Sequence, residues 1–171
     1  EGGAKKKTKV QLLGSGTILR EAIGASELLE QEFGVDADIW SVTSFTELRR
    51  DGMAVQRWNM LHPEQKPRMS YVELLLKDRK GPVIAATDSM KIYADQIRAF
   101  VPGRYTVLGT DGFGRSEGRK KLREFFEVNS AYIAVAALKA LADEGQIDAS
   151  KVTEAIKKYN IDPEKPNPPT V

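Results

Sequence analysis

Val83-Ile84-Ala85-Ala86 is an apolar run with no alternation, and a strand with apolar side chains on both sides has to be covered on both sides, as strands of parallel sheets are. This run constrains the fold more than any other feature, because parallel neighbours can be joined only by crossovers of a dozen or more residues, usually helical. The rest of the chain supplies them. Val10-Gln11-Leu12-Leu13 stops at Gly14-Ser15-Gly16 and is followed by apolar residues at Ile18, Leu19, Ala22, Ile23, Leu29 and Phe33, with Gly34 just beyond. That pattern predicts strand, tight turn and a helix closed by glycine. A second strand, 38–42, runs into Ser44 and Glu47, which have capping-box spacing for a short helix ending near Gly52. Met53 to Leu61 then reads as helical until Pro63, residues 63–68 as a loop, and Ser70 as the cap of a helix through Leu76.

After the 83–86 strand, Thr87-Asp88-Ser89 starts a helix whose apolar positions are Tyr93, Ile97 and Phe100, and Pro102-Gly103 precedes a fourth strand, 105–108. The glycine-rich stretch Gly109-Thr110-Asp111-Gly112-Phe113-Gly114 follows. Beyond it the pattern is helical, on Leu122, Phe125 and Phe126, then Ala131 to Ala142, then Val152, Ala155, Ile156 and Tyr159. Strands separated by helices predict a three-layer α/β/α sandwich with a mostly parallel sheet. The expected organisation is a flexible joint over 1–8, one α/β domain over 9–160, and an extended proline-rich tail over 161–171.

Composition narrows the chemistry. Lys+Arg 26 against Asp+Glu 24 gives +2, an ordinary globular balance that points away from nucleic-acid coating. The short runs Lys5-Lys6-Lys7 and Arg119-Lys120-Lys121 read as solvated charge. No apolar run approaches the ~18 residues of a membrane span, and no membrane role is expected. Cysteine is absent, which excludes disulfides and thiol catalysis and points to a reducing compartment. The single histidine, His62, reads as a hydrogen-bonded structural imidazole. The opening Glu1-Gly2-Gly3-Ala4, with no initiator Met, suggests a piece of a larger polypeptide.

All four predicted strands end in small, hydroxyl or acidic residues: Gly14-Ser15-Gly16-Thr17, Thr43-Ser44, Thr87-Asp88-Ser89 and Gly109-Thr110-Asp111. In open α/β sheets that edge is where ligands bind. Gly14-Ser15-Gly16-Thr17-Ile18-Leu19 begins like a dinucleotide fingerprint, but Leu19 takes the third glycine position and no acid closes the second strand. Gly109-Thr110-Asp111-Gly112 looks like a magnesium–diphosphate element without its later asparagine partner motif. These partial matches keep open a free-standing nucleotide- or phosphate-binding protein. The residues by themselves define no catalytic, cofactor-binding or metal site. They leave Asp111, Phe113 and Arg115 as an acid, an aromatic and a guanidinium on one short loop, the candidate contact for a partner or a second subunit.

Four segments carry a resemblance, in order and with matching spacing: 9–16 (Lys-Val-Gln-Leu-Leu-Gly-Ser-Gly), 41–48 (Ser-Val-Thr-Ser-Phe-Thr-Glu-Leu), 57–63 (Arg-Trp-Asn-Met-Leu-His-Pro) and 107–116 (Val-Leu-Gly-Thr-Asp-Gly-Phe-Gly-Arg-Ser). Together they resemble the carboxy-terminal domain of the homodimeric bacterial pyruvate dehydrogenase decarboxylating component, within the transketolase-like superfamily. The resemblance implies the third of three α/β domains of a cytoplasmic enzyme dependent on thiamine diphosphate and magnesium, both held by the other two domains. It further implies that the parent decarboxylates pyruvate and acetylates the lipoyl group of the dihydrolipoyl acetyltransferase component. The segment itself then supports dimerisation and partner docking and is inactive alone.

Overall fold

The computed structural model describes residues 8–170. The joint expected over 1–8 lies, apart from Thr8, outside the described residues, as do Lys5 to Lys7. Strands β1 (Lys9–Ser15), β2 (Asp36–Val42), β3 (Val83–Ala86) and β4 (Tyr105–Leu108) form a wholly parallel sheet in the order β2-β1-β3-β4. Every residue of β3 is buried, as its lack of alternation requires. Helix α1 (Leu19–Phe33) connects β1 to β2, and α2 (Phe45–Leu61) with α3 (Tyr71–Leu76) connects β2 back to β3. A short α4 (Lys91–Asp95) and a 3-10 turn, Arg98–Phe100, lead to β4. Helices α5 (Arg119–Phe125), α6 (Ser130–Asp143) and α7 (Ala149–Lys158) follow.

The sheet separates two apolar cores, which makes the three layers. On one face Val10, Leu12, Ile84 and Ala86 pack against Ala22, Ala25 and Leu29 of α1 and Ile133, Ala137, Leu138 and Leu141 of α6. On the other, Leu13, Val83 and Ala85 meet Phe45, Val72, Leu76, Ala94, Ile97 and Phe100. The apolar stretch 119–143 satisfies the length and hydropathy of a membrane span. Here it is broken, because Glu127 takes φ 62 between α5 and α6 and α6 buries its apolar face in the first core.

Several expectations change. The helix expected to stop at Gly52 continues through it, and α2 is unbroken from Phe45 to Leu61. Gly52 is kept for space: a Cβ there would lie 2.5 Å from the Phe100 ring, so a ring from another element takes the volume a side chain would fill. The helix expected from Thr87 starts only at Lys91 and shortens to a single turn, leaving Tyr93 half exposed while Ile97 and Phe100 are buried. The tail is not simply extended. It turns at 163–165, buries Pro168 and ends in a 3-10 turn, Pro168–Thr170. Its anchor is Lys165, whose Nζ donates to the carbonyls of Glu124 and Phe125 at 3.1 and 2.6 Å at the end of α5, where a cation complements the helix dipole.

Both expected caps form, the first as one half of a capping box. Ser44 accepts from the Glu47 amide, and Ser70 and Glu73 form a complete capping box. Gly14 is bound by a close approach: a Cβ there would sit 2.7 Å from the Leu19 Cα. The tight strand–helix contact that a fingerprint takes from its third glycine is here made by the first, and Leu19 becomes acceptable at the third.

Candidate functional site

The polypeptide turns back between β1 and β3, so the crevice at the carboxyl ends of these strands is the topological switch point. Its polar groups are bonded to one another. Ser15 Oγ donates to Thr87 Oγ1 at 2.9 Å, and Thr87 Oγ1 also accepts the Ser89 amide at 3.1 Å. Thr17 donates its hydroxyl to Asp88 Oδ2 at 3.3 Å. The Asp88 carboxylate stands over Gly16, 3.7 Å from where a Cβ would lie, at the start of the 3-10 turn that leads into α1. A carboxylate there complements the helix dipole and repels the phosphate that a nucleotide would bring.

The loop after β4 is fastened to the same network. Thr110 donates its amide to the Ser89 carbonyl and its hydroxyl to the Asp88 carbonyl, both at 2.9 Å. Asp111 accepts the Lys91 amide at 2.8 Å and so caps α4. Gly109 lies so close that a Cβ would be 2.7 Å from the Ser89 carbonyl oxygen, and Gly112, at φ 108, lies against Pro168 of the tail. The Gly109–Gly112 element therefore does not fit magnesium or a diphosphate. Its acid is held by a backbone amide, and no group of three potential metal ligands occurs among the described residues.

The three residues singled out on this loop separate. Asp111 turns inward to α4, Arg115 lies over the Phe125 ring at 5.0 Å, and Phe113 is 80% exposed. Phe113 does not plug its own core. Met90, Ile92 and Tyr93, on the segment zipped to this loop, are also about half exposed. Sequence periodicity missed these three, because the spacing of Tyr93 from Ile97 and Phe100 imitates one helical face; only the shortness of α4 turns it outward. Beside the loop a cavity of about 340 Å³ is lined by Thr17, Asp88, Thr110, Arg115 and Arg119. A larger one, about 710 Å³, lies between Trp40–Ser44 and helices α2 and α3 and is mainly apolar, with Leu13, Leu48 and Leu75 in its lining.

His62 is held as a structural imidazole should be. Its Nδ1 is 2.8 Å from the Trp58 carbonyl oxygen and its ring stacks on Trp58 at 4.3 Å. Arg68 covers Trp58 at 3.7 Å, and Asn59 clamps the backbone of Arg68 through both its N–H and C=O. Met60 and Leu61 are exposed and join no core.

The domain is a parallel α/β sandwich whose strand edge is spanned by its own hydrogen bonds, with apolar side chains turned outward beside it. The family model for the transketolase-like TK C-terminal domain matches residues 2–129, and the chain belongs to that family. The chain is 66% identical over 160 residues to the pyruvate dehydrogenase E1 component of Pseudomonas aeruginosa, covering 93% of this chain and 18% of that protein. Identity is 61% over 163 residues with the Cupriavidus necator protein of the same name and 54% over 163 residues with that of Escherichia coli, covering 95% of this chain and 18% of each. The chain thus spans about 18% of the length of these relatives. Among solved structures it is similar to a split-gene transketolase described as an inactive beta4 tetramer, with TM-score 0.52 and 16% identity over 81% of this chain and 41% of that one. The Campylobacter jejuni transketolase gives TM-score 0.51 and 23% identity over 80% of this chain and 18% of that one. These two likenesses establish the fold.

Proposed function

We propose that the chain is the carboxy-terminal assembly domain of a cytoplasmic pyruvate dehydrogenase E1 component, the enzyme that oxidatively decarboxylates pyruvate and acetylates the lipoyl group of the dihydrolipoyl acetyltransferase component. In this reading thiamine diphosphate and magnesium bind the parent's amino-terminal and middle domains, and this domain, over 9–160, contributes to dimerisation and partner docking without catalytic residues. The relatives' identity supports the parent. The observation that carries the assembly role is the inversion at the strand edge: polar side chains are satisfied internally while Phe113, Met90, Ile92 and Tyr93 face outward. Exposed apolar groups grouped in this way mark a surface that another protein surface covers. Aromatic and arginine side chains are the residue types enriched in binding hot spots, worth about 2 kcal/mol or more per residue.

The test pairs Phe113→Ala with Arg115→Ala in the full-length enzyme. Weaker dimerisation or weaker acetyltransferase binding in a titration, with the melting temperature of the 171-residue chain nearly unchanged, is the expected result. A large loss of thermal stability with unaltered binding refutes the docking role of the loop.

A further inference from the structure

The two edges of the sheet are finished differently. At β4 the strand is four residues long, and the carbonyl of Tyr105, which faces away from β3, is taken by the Arg98 guanidinium at 2.7 Å. That edge is blocked by a side chain. At the β2 edge nothing comparable occurs among the described residues. The Asp36 amide donates to the Thr8 carbonyl at 2.9 Å, which directs the backbone groups of Asp36, Asp38, Trp40 and Val42 toward β1. Those of Ala37, Ile39 and Ser41 must then point outward, and no backbone bond joins them to another described residue. Seven residues without proline, lysine or bulge present this row, and Ile39 is 39% exposed in the middle of it.

The row is symmetric about Ile39, with Ala37 and Ser41 equally spaced on either side. We infer that the β2 edge is a strand-addition surface whose occupant is β2 of a second copy, paired antiparallel across a two-fold axis at Ile39. In that register Ile39 faces Ile39 and each Ala37 faces Ser41 of the other copy, so the three outward N–H and C=O pairs of each strand meet their counterparts and the interface is isologous. Charge selects the same partner. Trp40 faces Asp38 of the second copy, and Arg79, which lies over Trp40 at 5.2 Å and 3.9 Å from its own Asp38, is placed to meet the incoming carboxylate. Lys9, 2.8 Å from Asp38, adds a second cation, so each Asp38 carboxylate carried to the axis has a lysine and an arginine beside it.

This inference rests on the assembly role proposed above and names one surface for its dimerising part. It uses the edge opposite the 109–116 loop, so the two are separable by experiment. The chain has no cysteine, and Cα atoms of a hydrogen-bonded antiparallel pair lie about 5.5 Å apart, within disulfide range. Ile39→Cys should form a disulfide-linked dimer under mild oxidation about tenfold faster than Leu74→Cys on exposed α3, because pairing raises the effective thiol concentration. In sedimentation, Ser41→Pro should lower the dimer fraction with the melting temperature retained, since it removes an outward N–H and no bond to β1. Ile39→Lys, which places a charge at the centre of the axis, should do the same. Equal cross-linking of Ile39→Cys and Leu74→Cys, or dimers unaffected by both edge substitutions, overturns the β2 pairing. Dimers that persist in that case leave the assembly role standing, with its surface elsewhere.

Discussion

Glu21 lies on the first turn of α1 and accepts bonds from two residues, Arg123 and Ser130, that are 102 and 109 positions away in the sequence. Arg123 Nη1 donates to its carboxylate at 2.7 Å, and the amide and hydroxyl of Ser130, the first residue of α6, each donate at 2.8 Å. The side chains of Glu21 and Arg123 are only 19% and 16% exposed, so solvent screens the pair little. Glu21→Ala removes three charge-assisted bonds, each worth about 1.5–3 kcal/mol when deleted singly, but these do not add and water re-enters part of the site. It also leaves the Arg123 cation without its carboxylate, the situation that costs about 3–5 kcal/mol at fully buried pairs. Partial exposure places the expected loss near the lower end, about 3 kcal/mol, or a fall in melting temperature of about 6–12 °C for a chain of this length. Thermal and urea denaturation of Glu21→Ala, Arg123→Ala and the double variant measure it. The double variant should lose less than the two singles together by about 1–2 kcal/mol. A single-variant loss under about 1 kcal/mol, or strict additivity, refutes the claim that this carboxylate ties α1 to α5 and α6.

Gly81→Ala should be among the most damaging single substitutions, because φ is +85 and a Cβ would fall 1.6 Å from the Lys9 carbonyl oxygen; stability equal to the parent chain in a urea titration overturns this. Asp111→Ala should cost about 1 kcal/mol through the lost α4 cap and speed amide exchange in the 109–116 loop, and an unchanged exchange pattern refutes the capping role. The Tyr159 hydroxyl, followed by Lys158, holds the Glu32 carboxyl below its ordinary range against a smaller effect of burial. The stability from Glu32 is therefore present above the unfolded carboxylate pKa and is lost as pH falls through the folded one. Tyr159→Phe should flatten that acid limb in pH-dependent melting, and an identical limb contradicts the assignment. Burial first, then Glu32, raises the Tyr159 phenol, so the same variant should also lose less stability as pH rises above about 10.

What could be read along the chain was whatever depends on near neighbours. The unalternated 83–86 run implied a doubly covered strand and hence parallel pairing, and all four of its residues are buried. Ser44 and Ser70 announced their helices because a cap is a contact over three residues. The four quoted segments likewise pointed to the family that residues 2–129 match, since a motif's spacing is itself a property of sequence. Gly52 resembles a helix stop in the sequence because the Phe100 ring that requires it lies 48 positions away and reaches it only once α2 and the 98–100 turn share a face. Asp111 and Phe113 looked alike as exposed loop residues; the cap on Lys91 drew one in and left the other out. At the strand edge, a row of hydroxyl and acidic residues suggested a ligand site. Only the register of β1, β3 and β4 brought Ser15 to Thr87 and Thr17 to Asp88. Composition puts polar groups at an edge, but whether they meet a ligand or one another depends on distances that no local pattern encodes.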